Sequence, residues 1–169
     1  MRYAPAALAL SLLAAVTASV GYGAPAPAPL DARATVLVAQ GRAALAAGQI
    51  DAAIDAYEAA LAVQPGQVAI YLDLAEATRR QGLQGKALHY YREVLERDPA
   101  NSWAIAGEGR ALVEKGAVEK ARRNLTRLQQ ICGGDCEASM ELAAAIAKGP
   151  APRIVTAEAV QAKPVVTPN

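Results

Sequence analysis

Five sets of residues in this chain recur with a step of 34 positions. Gly48, Gly82 and Gly116 form one set, and Ala53, Ala87 and Ala121 another. Tyr57, Tyr91 and Leu125 keep the same step, as do Pro65, Pro99 and Gly133, and Gly41, Ala75 and Gly109. A period of this length marks an array of similar units stacked side by side, none of which buries its apolar face alone. It excludes a plain helical bundle, which has no reason to hold a fixed step.

The residue types say what each unit is. Alanine is abundant, the chain has six Tyr, one Trp and no Phe, and no alternating strand pattern of useful length occurs. Ala is the best helix former and its short side chain lets backbones approach, so the fold class is all-α. The central Gly falls between two helical apolar patterns, where a helix must end and the chain reverse. Gly takes the left-handed conformation there at little cost. The Gly41, Ala75, Gly109 and Ala53, Ala87, Ala121 sets place small residues on facing helices. Tyr57, Tyr91 and Leu125 are the large side chains that fill space beside them. Pro65 and Pro99 close the second helix of a pair, because Pro cannot continue it and disfavours helix just before itself.

This small–Gly/Ala–Gly–Ala–aromatic–Pro pattern resembles the tetratricopeptide-repeat family. The resemblance covers residues 32–148 and implies a solenoid of three antiparallel helix pairs, 34–67, 68–101 and 102–135. The third unit departs from the pattern, with Leu125 for the aromatic and Gly133 for Pro. Three repeats are near the minimum for stability, so the exposed end needs a cap. Residues 137–148 supply it, with Met140, Leu142, Ala143, Ile146 and Ala147 available to cover the third repeat. Gly149-Pro150 ends it.

The flanks read differently. Met1-Arg2, the apolar run from Ala6 to Val16 and the small residues through Gly23 form a secretory signal peptide over 1–23. The run is short of the roughly 20 apolar residues of a membrane span. Residues 24–31 form a Pro/Ala-rich linker of extended polyproline type. Residues 149–169 read as a disordered tail, within which Ile154-Val155-Thr156 and Val165-Val166-Thr167 have the composition to add a strand to a partner's sheet. The expected location is periplasmic or secreted, with no membrane span in the mature chain.

The chain has 17 Lys and Arg against 16 Asp and Glu. Loss of Arg2 with the leader balances them. A neutral chain lacks the positive field that nucleic acid or a membrane surface requires. Charge is uneven, however: 34–67 carry only Arg42 against Asp51, Asp55 and Glu58. Residues 110–127 carry Arg110, Lys115, Lys120, Arg122, Arg123 and Arg127 against Glu114 and Glu119. That basic stretch reads as a solvated helix face, with a patch for an acidic partner as the alternative. Cys132 and Cys136 flank Gly133-Gly134-Asp135 at the turn into the cap. Two Cys across a tight turn of an exported chain predict a structural disulfide. Their spacing is neither the redox nor the haem motif, and no metal or other cofactor is expected.

Function is expected on the first helices. In the family these line a concave groove at offsets 2, 5, 9 and 12 of each unit. Here those are Thr35, Val38, Arg42 and Leu45; Ala69, Leu72, Glu76 and Arg79; and Trp103, Ala106, Arg110 and Val113. The partner-binding set is Val38, Arg42, Leu72, Glu76, Arg79, Trp103 and Arg110. Arg42, Glu76 and Arg110 form an alternating column, and Trp103 beside Arg110 has the composition of a binding hot spot. Two blander readings compete: Trp103 packed into the junction of repeats two and three, and a mere surface ladder of charges. The Lys and Asn that clamp a terminal carboxylate in some family members are absent. His89 is the sole His, and no nucleophile elbow, phosphate loop or carboxylate pair occurs, so catalysis is not expected. The chain reads as a protein- or peptide-binding module. The alternative is a structural part of an envelope secretion, pilus or outer-membrane assembly complex.

Overall fold

The computed structural model describes residues 29–150. The leader, the linker up to residue 28 and the tail beyond residue 150 lie outside the described residues. Seven helices and no strands occur among those described: α1 (Ala32–Ala46), α2 (Ile50–Val63), α3 (Val68–Arg80), α4 (Gln84–Arg97), α5 (Ser102–Glu114), α6 (Val118–Cys132) and α7 (Glu137–Lys148). Each packs against its neighbours in chain order, and α7 packs on both α5 and α6. The architecture is a helical solenoid.

The repeated glycines make one turn three times. Gly48, Gly82 and Gly116 have φ of 76°, 86° and 81°. After α1 the Gly48 N–H donates to Leu45 O and the Gln49 N–H to Ala44 O. The same pair of bonds recurs from Gly82 and Leu83, and from Gly116 and Ala117. This is the Schellman arrangement, which satisfies helix-end carbonyls and demands a left-handed residue. The prolines act alike. Gln64 and Asp98, each preceding Pro, leave their helices at φ −137° and −134°, the extended region that Pro imposes on its predecessor. Helix starts are fixed by side chains at two places, where Asp31 accepts from Arg33 N–H and Asn101 from Ala104 N–H.

The tyrosines are the keystones. Tyr57 is fully buried and Tyr91 is 1% exposed. A Cβ on Gly41 would stand 2.5 Å from the Tyr57 ring, so only Gly admits it. Tyr91 reaches onward to the next repeat, where a Cβ on Gly107 would lie 2.3 Å from its ring. Gly107 stands outside the repeating columns, one period after Asp73. The small residue Gly109 in turn receives Leu142 of α7, at 2.6 Å from where its Cβ would stand. Leu125 is only half-buried, and the cap's Leu142, with no exposure, fills out the third layer.

The cap's inward face differs from the expected one. Leu142 and Ile146 pack on the core, together with Ala138. Met140, at 54% exposure, and Ala143 and Ala147 point to solvent. The cause is the phase of the helix. Ser139 is 1% exposed and its hydroxyl donates to Gly133 O at 2.9 Å. That bond turns the face of 138, 139 and 142 inward. The Cys132 and Cys136 sulfurs lie at disulfide distance and bridge the same turn.

Two glycine substitutions are expected to move stability in opposite directions. Gly85→Ala lies on an α4 position with open space around it, so the gain in helix propensity raises stability by about 0.5–1 kcal/mol. Gly107→Ala has the same propensity gain, but drives its methyl into an enclosed ring whose hydroxyl is tethered. Overpacking costs about 1–3 kcal/mol and wins. Urea unfolding of both variants checks the pair.

Candidate functional site

Two clefts lie along the first helices of the repeats. One, of about 270 Å³, is lined by Leu72, Asp73, Glu76, Arg80, Tyr91, Trp103, Arg110 and Glu141. The other, of about 450 Å³, lies towards the cap between Arg79, Arg110, Val113, Glu114 and Lys148. Arg110 belongs to both. The helical step of three or four residues aligns Leu72, Glu76 and Arg79 on α3, and Trp103 and Arg110 on α5. The 34-residue period then sets Glu76 beside Arg110.

Glu76 is the hub. Its carboxylate accepts from Arg79 Nη2 and Arg80 Nε, both at 2.8 Å, from Tyr91 Oη at 3.1 Å and from Arg110 Nη2 at 3.4 Å. Burial alone disfavours its charge, but the bonds from Arg79 and Arg80 and the charges of Arg79 and Arg110 outweigh it. The carboxyl is held down at about 2. Burial likewise works against the Arg79 charge, yet its bonds with Glu76 push its value up. Burial next to Glu76 pushes the Tyr91 phenol up. Arg79 also meets Glu114, and Arg110 Nη1 reaches Glu141 of the cap at 2.6 Å.

The alternating column is partly redirected. Arg110 pairs with Glu76, but Arg42 pairs with Asp73 at 2.8 Å, one turn before Glu76. Arg79 and Arg80 already occupy Glu76, and Asp73 is the carboxylate left for Arg42. Burial pushes the Asp73 carboxyl up, against the opposing bond from Arg42. Arg42 stands where Glu76 stands one repeat later, so Tyr57 has no counterpart to the Tyr91–Glu76 bond. Its hydroxyl is buried without a partner, and burial together with the Asp73 charge pushes it up to about 12.

Of the seven residues expected in the groove, Leu72, Glu76, Trp103 and Arg110 line the first cleft and Arg79 the second. Arg42 reaches the first through Asp73. Val38 is 4% exposed and packed in the core with Tyr57, Ile70 and Leu74, so it supports the wall from behind. Leu72 holds the same offset on α3 and lines the cleft, so the offset alone does not decide the depth of the side chain. Trp103 is 43% exposed on the cleft wall and is not sealed in the junction between repeats. Asp73, Arg80, Tyr91 and Glu141 complete the first cleft. Family offsets do not point to them; Asp73 and Arg80 are charged and lie three and four residues from Glu76, which is a signal, whereas no helical or repeat spacing marks Tyr91, 15 residues from Glu76, or Glu141, 31 from Arg110. Ala106 and Val113 are buried, and His89 is exposed on α4. Among the described residues no three His, Cys, Asp or Glu side chains come together as a metal site, and no helix is long and apolar enough to cross a membrane.

Comparison with known proteins accords with this geometry. Residues 38–102 match the tetratricopeptide-repeat family. The Sgt2 repeat domain of Aspergillus fumigatus superposes with a TM-score of 0.63 at 25% identity, over 73% of this chain and 81% of that one. The first such domain of Spaghetti (RPAP3), bound to the HSP90 peptide SRMEEVD, gives 0.61 at 22% identity, over 69% and 91%. The TPR2B domain of yeast Sti1, in its pHsp70 complex, gives 0.62 at 16%, over 70% and 96%. The family match thus spans the first two helix pairs, and the described residues have the fold of tetratricopeptide-repeat structures. Among curated proteins it is 40% identical over 96 residues to cellulose synthase 2 operon protein C of Komagataeibacter xylinus. The match spans 56% of this chain and 7% of that protein.

Proposed function

We propose that this domain is a non-enzymatic module that holds a protein or peptide segment in its concave groove, at Leu72, Glu76, Arg79, Trp103 and Arg110, with Arg42 at the edge. The observation that carries this reading is Trp103. A large aromatic left 43% exposed on a cleft wall is a ready anchor for a partner. Beside it, the ion-pair web around Glu76 holds the wall rigid before a partner arrives, which lowers the ordering cost of binding. A structural neighbour with the same fold, the first repeat domain of Spaghetti (RPAP3), holds a peptide. The apolar leader of residues 1–23 supports action in the periplasm or outside the cell.

The test is affinity capture from the native envelope, with the mature chain and a Trp103→Ala, Arg110→Ala variant shown by circular dichroism to be folded. The expected result is a partner retained by the wild type and reduced at least about tenfold by the variant, since hot-spot truncations cost about 2 kcal/mol or more. Equal retention places binding elsewhere, and the basic α6 face becomes the surface to test.

A second reading is favoured by one observation, the similarity to a cellulose synthase operon protein. Here the domain is a fixed structural part of an envelope assembly. It would then co-purify in a stable large complex from detergent-solubilised envelope, where a soluble binder fractionates alone.

A further inference from the structure

Four guanidinium groups stand in or beside the groove, and each is already matched within the chain. Arg42 pairs with Asp73, Arg79 with Glu76 and Glu114, Arg80 with Glu76, and Arg110 with Glu76 and Glu141. Four cations thus face four carboxylates, and the wall has no net charge. Arg79 and Arg110 keep side-chain exposures of only 16% and 22%, so these pairs are not loose surface contacts. The apolar side chains on the wall of the first cleft are Trp103, 43% exposed, and the half-buried Leu72.

We propose that the Trp103 cleft takes a peptide segment presenting an uncharged apolar or aromatic side chain, and that it discriminates against acidic peptides. The inference rests on the groove reading above and names the class of partner that groove admits. An acidic side chain reaching Arg110 must displace Glu141 or Glu76, and it arrives beside three carboxylates, those of Asp73, Glu76 and Glu141. Like charges brought together in a partly enclosed cleft are a strong element of rejection. An apolar side chain meets no such cost and buries the face of Trp103. Lys148, on the second cleft, has no carboxylate partner among the described residues. An acidic peptide gains there, so acidic peptides are included in the test.

The experiment uses the mature chain and a display library of random Trp-free decapeptides, with Trp103→Ala as the counter-selected control. Trp103 is the chain's single Trp, so its emission reports binding of each synthesised winner directly. The expected winners carry an apolar or aromatic anchor and no net negative charge. Their affinity changes less than about twofold between low and moderate salt, because no net charge is neutralised. A Glu/Asp-rich heptapeptide leaves the wild-type emission unchanged. Glu141→Gln, at a partly exposed rim position, leaves Arg110 paired with Glu76 alone and raises affinity for that heptapeptide about tenfold, the equivalent of about 1.4 kcal/mol. An acidic consensus among the winners, or equal binding of the heptapeptide to wild type and Glu141→Gln, overturns the specificity and leaves the groove standing. If no peptide is enriched on the wild type over Trp103→Ala, the groove reading itself falls.

Discussion

Ending the chain after Gly134 is expected to destabilise the fold by about 4 kcal/mol or more, with a fall in Tm of roughly 15 °C or more. The truncation deletes α7, and with it Leu142, which is fully buried, and the half-buried Ile146. It also bares the groove that Gly109 opens for Leu142. Burying one Leu contributes about 1.5–3 kcal/mol, and the second aliphatic and the newly exposed wall of α5 and α6 add to it. A domain of this size has only about 5–15 kcal/mol in total. Two point variants separate packing from mere length. Leu142→Ala should cost about 2–5 kcal/mol. Met140→Ala, at a 54% exposed position, should fall within about 0.5 kcal/mol of wild type. Thermal unfolding of the three variants is the check; an unchanged Tm on truncation removes α7 from the core.

Glu76→Gln is the second large effect, a loss of about 2–3 kcal/mol at neutral pH. Gln keeps the shape and one carbonyl acceptor, but removes the charge that Arg79, Arg80 and Arg110 share. Breaking a buried pair costs about 3–5 kcal/mol. The lower figure applies here because the Glu76 side chain is 22% exposed, and Arg80, at 51%, turns readily to water. The pH dependence carries a signature. The Glu76 carboxyl is held at about 2, below its ordinary 4.5. A depressed carboxyl stabilises the fold above its unfolded value, and that contribution is lost as pH falls towards the folded one. At full weight the gap is worth about 3 kcal/mol, and screening on this partly open wall reduces it to about 2. Wild type and Glu76→Gln should therefore differ most above pH 4.5 and converge towards pH 2. Parallel stability curves over that range would mean that the charge of Glu76 contributes nothing.

Most of the fold is legible in the sequence, for a physical reason. The reversals need a left-handed residue and the second helices need a stop. Gly and Pro are nearly the only residues that meet those demands, so Gly48, Gly82, Gly116, Pro65 and Pro99 stand out at their fixed step. What lies between layers is less legible. The role of Gly107 depends on the ring of Tyr91 crossing from the previous repeat, and no column marks it. The phase of α7 depends on one hydroxyl, that of Ser139, meeting Gly133 O across the turn. Met140 looks like a core residue by type, but the phase of the helix places it outside.

The candidate groove divides in the same way. Residues on one helix face are found by counting, and this brings Leu72, Glu76 and Arg79, and Trp103 and Arg110, together. Partner choice among charges is a contest that counting does not resolve. Glu76 draws three Arg and a Tyr, while Arg42 turns back to Asp73. Depth is equally hidden, since Val38 and Leu72 share an offset, yet the first lies beneath the wall and the second lines it.

The most direct test of the central claim is amide hydrogen exchange of the mature chain, alone and saturated with its captured partner. Binding in the concave groove predicts new protection on the first helices, α3 around Leu72–Arg80, α5 around Trp103–Arg110 and the Glu141 turn of α7. Exchange in α2, α4 and α6 should be little changed. Protection concentrated on those second helices, with α3 and α5 unaffected, would contradict the account and move the binding surface to the opposite face of the solenoid.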